Sequence, residues 1–284
     1  MDVISHPDFV RLHSPGDAVN DERPGRLDCL LRRFPDHATG SPASREQIER
    51  LHSAEYVTAI EALTDAVWLD ADTYATPTTW EAARLAVGCA LEAVERGGFA
   101  LARPPGHHAL PSRAMGFCIF GNTALAARHA QIAMGLERVA VVDFDVHHGN
   151  GTEELFRDDP SVLTVSLHQW PFWPGTGGPG SDAEGIVNVP LPAGTDDEGY
   201  GRAFTEVVEP AVTAFEPDLV LVAAGFDAHR DDPLADMALT ADGFRELATR
   251  CGALAPRTAA VLEGGYNLET LPALVEAALE GFES

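Results

Sequence analysis

The run from Val139 to Gly151 constrains this chain more than any other stretch. Five apolar residues, Val139, Ala140, Val141, Val142 and Phe144, lead an Asp-x-Asp-x-His alternation (Asp143, Asp145, His147) into the turn His148-Gly149-Asn150-Gly151. Such a run reads as a buried parallel strand that opens at its carboxyl end into a polar loop. Side chains along a strand alternate faces, so Asp143, Asp145 and His147 point the same way, successive pairs about 6–7 Å apart at Cα. Two carboxylates and an imidazole on one face suit a divalent metal with mixed oxygen and nitrogen ligands.

Other apolar runs end in the same manner. Phe99 to Arg103 stops at Pro104-Pro105-Gly106, and Val162 to Leu167 ends in His168. Leu219 to Ala224 runs into Gly225-Phe226-Asp227, and Ala259 to Leu262 into Glu263-Gly264-Gly265-Tyr266-Asn267. Helical periodicity covers residues 46–65, 80–96, 122–134 and 197–215, with a short helix near 27–33. Strands alternating with helices predict an open, mostly parallel α/β sheet whose ligands sit outside the carboxyl ends of its strands. With no internal repeat, low-complexity tract or linker, residues 1–284 read as a single domain.

Composition removes several classes of function. All 19 basic residues are arginine, which excludes a Schiff-base lysine and a phosphate-loop lysine. The net charge of −25 reads first as solubility or genome composition; as a field it repels nucleic acid and draws in cations. Cys29, Cys89, Cys118 and Cys251 form no Cys-x-x-Cys pair and read as small buried hydrophobes in a reducing compartment. The first residues carry neither a basic start nor an apolar run, and no uncharged apolar stretch approaches a membrane span, so a soluble cytoplasmic protein is expected. Nothing in the chain speaks to oligomeric state.

Four distant loops carry the polar chemistry: Arg103 to His108, Asp143 to Asn150, Gly225-Phe226-Asp227 and Gly264-Gly265-Tyr266. Singly, each has an ordinary reading: surface polarity for tandem histidines, a helix cap for an aspartate after a strand, a half-buried ring for a tyrosine in a glycine turn. Together and in this order they resemble the zinc-dependent histone deacetylase family, which also holds acetoin-utilisation proteins and acetylpolyamine amidohydrolases. The resemblance runs from about Asp72 to Asn267. It includes Gly116-Phe117-Cys118, Val165-Ser166-Leu167-His168, Pro174-Gly175-Thr176-Gly177 and Asn188-Val189-Pro190-Leu191.

The resemblance implies an arginase-like α/β fold, an open parallel sheet of about eight strands flanked by helices. It makes Asp145, His147 and Asp227 the ligands of one zinc ion, with positions left open for water and a substrate carbonyl. It makes His108 the general base and later acid, and His107 its electrostatic partner, oriented by Asp143. Asn150 stands beside His108 where some relatives have aspartate, and an uncharged partner keeps the ring less basic. Tyr266 becomes the donor to the oxyanion. Phe117 and Trp173 become opposite walls of a narrow tunnel, with the Gly116 carbonyl near the amide N–H, Leu234 at the gatekeeper position and Asp72 on the rim. Asp143, Asp145, His147, Ser166 and Leu167 match a structural potassium site.

The implied activity is removal of an acetyl or short acyl group from an amine on an alkyl chain. Acetyl-lysine in proteins or peptides is the first substrate, since polyamine-selective relatives carry an acidic gatekeeper; acetylpolyamines are the alternative. Two remoter readings are a silent acyl-lysine-binding module and a two-metal ureohydrolase, suggested by Asp227-Ala228-His229-Arg230-Asp231. The latter needs further carboxylates after Asp145, and His147-His148-Gly149-Asn150 offers none. His229, Arg230, Asp231 and Asp232 are expected on the rim, and His6, His13, His37, His52 and His129 at the surface or in loops.

Overall fold

The computed structural model describes residues 1–16 and 20–284. Its strands are β1 (Val3–Ser5), β2 (Ala38–Thr39), β3 (Val67–Trp68), β4 (Tyr74–Ala75), β5 (Phe99–Ala100), β6 (Val139–Asp143), β7 (Val162–Gln169), β8 (Ile186–Leu191), β9 (Leu219–Ala224) and β10 (Thr258–Leu262). Eight of them form one sheet in the order β2-β1-β5-β10-β9-β6-β7-β8, every neighbouring pair parallel. β3 and β4 make a separate antiparallel hairpin. β6 and β9 are buried at every position, as parallel strands covered on both faces must be. Helix Thr79–Arg96 packs on β1, β5 and β10, and helix Asn122–Met134 on β6 and β9. No helix among the described residues is long and apolar enough to cross a membrane.

Strand order positions the site. After β5 the chain crosses to β6, runs outward through β7 and β8, then returns to fill the gap with β9 and β10. So β5, β10, β9 and β6 are neighbours, and the loops leaving their carboxyl ends meet where the winding direction reverses. Asp143 lies in register with Ser166 of β7 and Ala223 of β9, and Leu262 with Ala224.

The expected elements mostly stand, with informative departures. β6 ends at Asp143, so the Asp-x-Asp-x-His run leaves the sheet after its first member. The expected helix over 46–65 is two, Arg45–Ile48 and Ala54–Glu61, because Ser53 turns extended and caps the second through the Tyr56 N–H. Residues 197–215 are helical with a wider turn at Phe204–Val208, where Glu209 N–H reaches back to the Phe204 carbonyl just before Pro210. Unread from periodicity were the short strands β1 and β2, the strand β8, and the helices Asn150–Phe156, Ala241–Gly252 and Leu271–Phe282. β8 contains Pro190, tolerated because β8 is an edge.

A buried ionic cluster ties the amino-terminal segment to the end of β5. Arg103 donates to both Glu22 oxygens at 2.9 and 2.6 Å, to the Tyr74 hydroxyl at 2.8 Å and to the Leu12 and His13 carbonyls at 2.8 Å. Glu22, Arg26 and Arg103 are fully buried. Burial opposes the Glu22 charge, but Arg103 beside it holds its carboxyl below the usual range. Its stabilisation is therefore complete above the ordinary glutamate pKa and lost as pH falls through the lower folded value. Glu22→Ala strands Arg103 without its partner, and a loss of about 3–5 kcal/mol is expected in denaturant unfolding.

His13, His52 and His129, expected at the surface or in loops, are 1%, 2% and 6% exposed. His52 receives the Gly121 N–H on Nε2 at 2.9 Å and lies 3.1 Å from the Leu110 carbonyl through Nδ1. The other two rings are held by side chains: His13 Nδ1 lies 2.7 Å from the Thr79 hydroxyl, and His129 Nε2 2.7 Å from Glu95 Oε1. Cys89, Cys118 and Cys251 are buried, Cys29 is half-buried, and all four thiols are free.

Candidate active site

The carboxyl end of β6 presents Asp145 and His147, and that of β9 presents Asp227. The ligand atoms of the three lie within 4.8 Å of one another. His147 Nδ1 is 3.2 Å from Asp145 Oδ1 and 3.1 Å from Asp227 Oδ2. Backbone donors aim the carboxylates: His147 N–H and Gly264 N–H to Asp145 at 2.9 and 2.7 Å, and Val146 N–H to Asp227 at 2.9 Å. A Cβ on Gly225 would lie 2.1 Å from Asp145 Oδ2, and one on Gly264 2.2 Å from Asp227 Oδ2, so both glycines are needed for this approach.

Asp145 and Asp227 are fully buried. Burial works against a charged His147 ring, yet the two carboxylates overcome it and push its pKa up to about 10. Two fully buried carboxylates converging with one imidazole form a donor set that suits zinc. A second group, His107, Cys118 and Glu263, is also close-set, but Glu263 is filled by N–H and O–H donors, which leaves no open donor set.

The tandem histidines follow β5. His107 Nδ1 is 3.0 Å from Asp143 Oδ2, and His108 Nδ1 is 2.8 Å from Asn150 Oδ1. An amide oxygen only accepts, so His108 carries its proton on Nδ1 and leaves Nε2 free. Burial first, then the neighbouring His107 and His147, hold the His108 pKa well below its ordinary value. For His107, burial is overcome by Asp145 and Asp143, and its pKa rises to about 10. Neighbouring rings with opposite tendencies suit a neutral proton acceptor beside a cationic partner.

The backbone under these rings is anchored on both sides. Gly151 N–H and Thr152 N–H, opening helix Asn150–Phe156, donate to the His107 carbonyl at 2.9 and 3.0 Å. Glu263, fully buried, accepts from Gly106 N–H at 2.6 Å, His107 N–H at 3.1 Å and the Thr123 hydroxyl at 2.7 Å. Burial pushes its pKa up to about 7. Glu263 had no expected role; a carboxylate directly after an apolar strand is the signal that marks it.

Tyr266 follows β10 through Gly264-Gly265, and Gly265 sits at φ 113°. Burial raises the Tyr266 pKa well above its ordinary value, so the hydroxyl keeps its proton. The Arg26 guanidinium lies 4.8 Å from the ring centre and donates from Nε to the Gly265 carbonyl at 2.7 Å.

A cavity of about 220 Å³ opens above these groups, lined by Asp72, His108, Gly116, Phe117, His147, Phe172, Trp173, Leu234 and Tyr266. Every expected tunnel residue lines it, and Phe172 joins them, stacked on His147 at 5.3 Å. Trp173 stands edge-on to His108 at 4.7 Å, and Phe117 meets Tyr266 at 5.6 Å. Gly116 and Phe117 both have positive φ, 56° and 69°. They are held by Asp70, which accepts from Gly116 N–H at 3.3 Å, and by the Thr73 hydroxyl, which accepts from Phe117 N–H at 2.9 Å. A Cβ on Gly116 would lie 2.4 Å from the outer edge of the Trp173 indole, so the passage is narrow there.

Of the four residues after Asp227 expected on the rim, Arg230 and Asp231 are exposed, but His229 and Asp232 are 7% and 8% exposed and turn inward. Ser166 lies beside Asp143 across the sheet, with Oγ 3.0 Å from His168 Nδ1, and Leu167 is fully buried.

The family profile described as histone deacetylase domain matches residues 20–282. The chain is 42% identical over 271 residues to "Histone deacetylase 10, chloroplastic" of Oryza sativa subsp. japonica, covering 85% of this chain and 61% of that protein. It is 42% identical over 261 residues to "Polyamine deacetylase HDAC10" of Mus musculus, covering 81% of this chain and 38% of that protein. The crystal structure of the HDA15 HD domain superposes with a TM-score of 0.94 at 36% identity, covering 99% of this chain and 88% of that one. The chain thus spans about three-fifths of the rice relative's length and less of the mouse relative's. With a deacetylase-domain match over nearly its whole length and the same fold, this chain belongs to the histone deacetylase family.

Proposed function

We propose that this chain is a zinc-dependent amidohydrolase that removes an acetyl or other short acyl group from a primary amine on an alkyl chain, acetyl-lysine in peptides or proteins first. The observation that carries the reading is the meeting of three close-set ligating side chains, an imidazole bonded to an amide oxygen and a buried tyrosine at the foot of one narrow aromatic cavity. Zinc held by Asp145, His147 and Asp227 supplies Lewis-acid polarisation of the acyl carbonyl and a lower pKa for the attacking water.

The chain's own residues do the rest. His108 takes the water's proton on its free Nε2, and Asn150 holds the opposite nitrogen as donor. His107, oriented by Asp143 through Nδ1, stabilises negative charge as it develops. Tyr266 donates its hydroxyl to the carbonyl oxygen as that oxygen becomes an anion. His108 then returns its proton to the leaving amine. Phe117 and Trp173 clasp the alkyl chain and exclude water, the Gly116 carbonyl accepts the amide N–H, and Asp72 on the rim orients the substrate backbone. The narrow passage between Gly116 and Trp173 supports short acyl groups and a slender chain.

Leu234 at the mouth carries no charge for the distal cation of a polyamine, which favours peptides; the name of the mouse relative favours acetylpolyamines as the second reading. A potassium ion beside Asp143, Asp145, His147, Ser166 and Leu167 would tie β6 to β7, a role supported by the Asp143–Ser166 register. Four free thiols support a reducing, cytoplasmic setting.

Acetate release from an acetyl-lysine peptide and from N-acetylputrescine, with and without chelator, tests the reading. Peptide turnover abolished by chelation is expected. Preference for the polyamine would overturn the Leu234 argument, and tight peptide binding without acetate release by zinc-loaded protein would overturn the catalytic reading.

A further inference from the structure

Asp232 lies five residues beyond the proposed ligand Asp227, with its side chain turned away from solvent. No cation pairs with it among the described residues. Its carboxylate is instead filled by backbone donors from two different loops. Oδ2 accepts the N–H of Tyr266 at 2.7 Å and of Asn267 at 3.3 Å. Oδ1 accepts the N–H of Leu234 at 3.0 Å. The Asn267 side chain returns a bond at 2.7 Å to the Asp231 carbonyl.

Tyr266 and Leu234 both line the cavity, so one carboxylate joins the loop bearing the hydroxyl to the loop bearing the gatekeeper. An unpaired buried carboxylate is costly, and an apolar residue would close the turn more cheaply unless the geometry it imposes matters. Gly264 and Gly265, just before Tyr266, leave that segment with little conformational preference of its own. The Asp232 bond to the Tyr266 N–H is the restraint that removes this freedom on the side opposite Arg26.

We infer that Asp232 is a positioning residue for the reaction: it fixes the Tyr266 backbone so that the phenol meets the developing oxyanion, and it couples the gatekeeper loop to that placement. The inference rests on the role proposed above for Tyr266. It also requires both oxygens to accept, so an amide cannot replace the carboxylate. Asparagine would turn its NH₂ toward one set of N–H donors and break that arm.

The test is a double-mutant cycle on the zinc-loaded full chain with an acetyl-lysine peptide. Asp232→Asn, near in shape and chosen to preserve folding, should lower kcat by about tenfold or more with a much smaller change in KM, at unchanged zinc content. In the Tyr266→Phe background the same substitution should cost less than about twofold, because the hydroxyl it positions is already gone. The same loss of kcat in both backgrounds would overturn the inference, as would wild-type kcat in Asp232→Asn.

Hydrogen exchange of residues 264–267 gives a readout that does not need turnover. Asp232→Asn should raise exchange there and leave β6 and β9 protected; unchanged protection at 264–267 would overturn the inference. If the wild-type chain released no acetate from either substrate, the proposed function would fail, and exchange would still decide the role of Asp232.

Discussion

Asp227→Asn is expected to lose bound zinc, about one ion per chain in the wild type, and acetate release with it. The effect on stability should change sign with metal. Burial, with Asp145 beside it, raises the Asp227 pKa, so at neutral pH its charge destabilises the metal-free fold. Asparagine removes that charge and keeps an oxygen for the Val146 N–H. Metal-free Asp227→Asn should therefore melt at or above metal-free wild type. Zinc should raise the melting temperature of the wild type through binding to the folded state and leave the variant nearly unmoved. Equal zinc-induced shifts in both proteins would place the metal elsewhere.

His108→Ala is expected to lower kcat by about 10²- to 10⁴-fold, the range for a positioned acid–base group. Zinc content should stay at the wild-type level, because His108 Nδ1 is bonded to Asn150 and the ring joins no ligand set among the described residues. The two substitutions thus separate metal binding from proton transfer. Near wild-type turnover in His108→Ala would remove the ring from the reaction. Loss of zinc together with turnover would make it a ligand or a support of the metal loop.

The chemistry of the candidate site was legible because it is local. Asp143, Asp145 and His147 follow an apolar run, Asp227 and Tyr266 end two others, and His107-His108 follow a fourth. Their geometry was only partly legible. The strand ends at Asp143, so Asp145 is aimed by the N–H groups of His147 and of Gly264 in β10's loop, and the His147 ring by Asp145 and Asp227, not by strand alternation. Glu263 and Asp232 escaped notice in their final roles for the same reason. A carboxylate in a turn looks alike on paper whether it faces water or receives two N–H groups from another loop. His13, His52 and His129 make the point for imidazoles.

Residue types, strand-forming runs and the polar clusters after them were written in the chain itself, since apolar patterning and turn chemistry act over a few residues. The convergence of those clusters was not. It depends on β9 and β10 entering the sheet between β6 and β5, a placement set by crossovers and packing over scores of residues. Periodicity has no access to strand order. Backbone N–H groups complete the carboxylates, and tight glycine contacts at Gly116, Gly225 and Gly264 close the distances, so both exist only once the sheet has brought its carboxyl ends together.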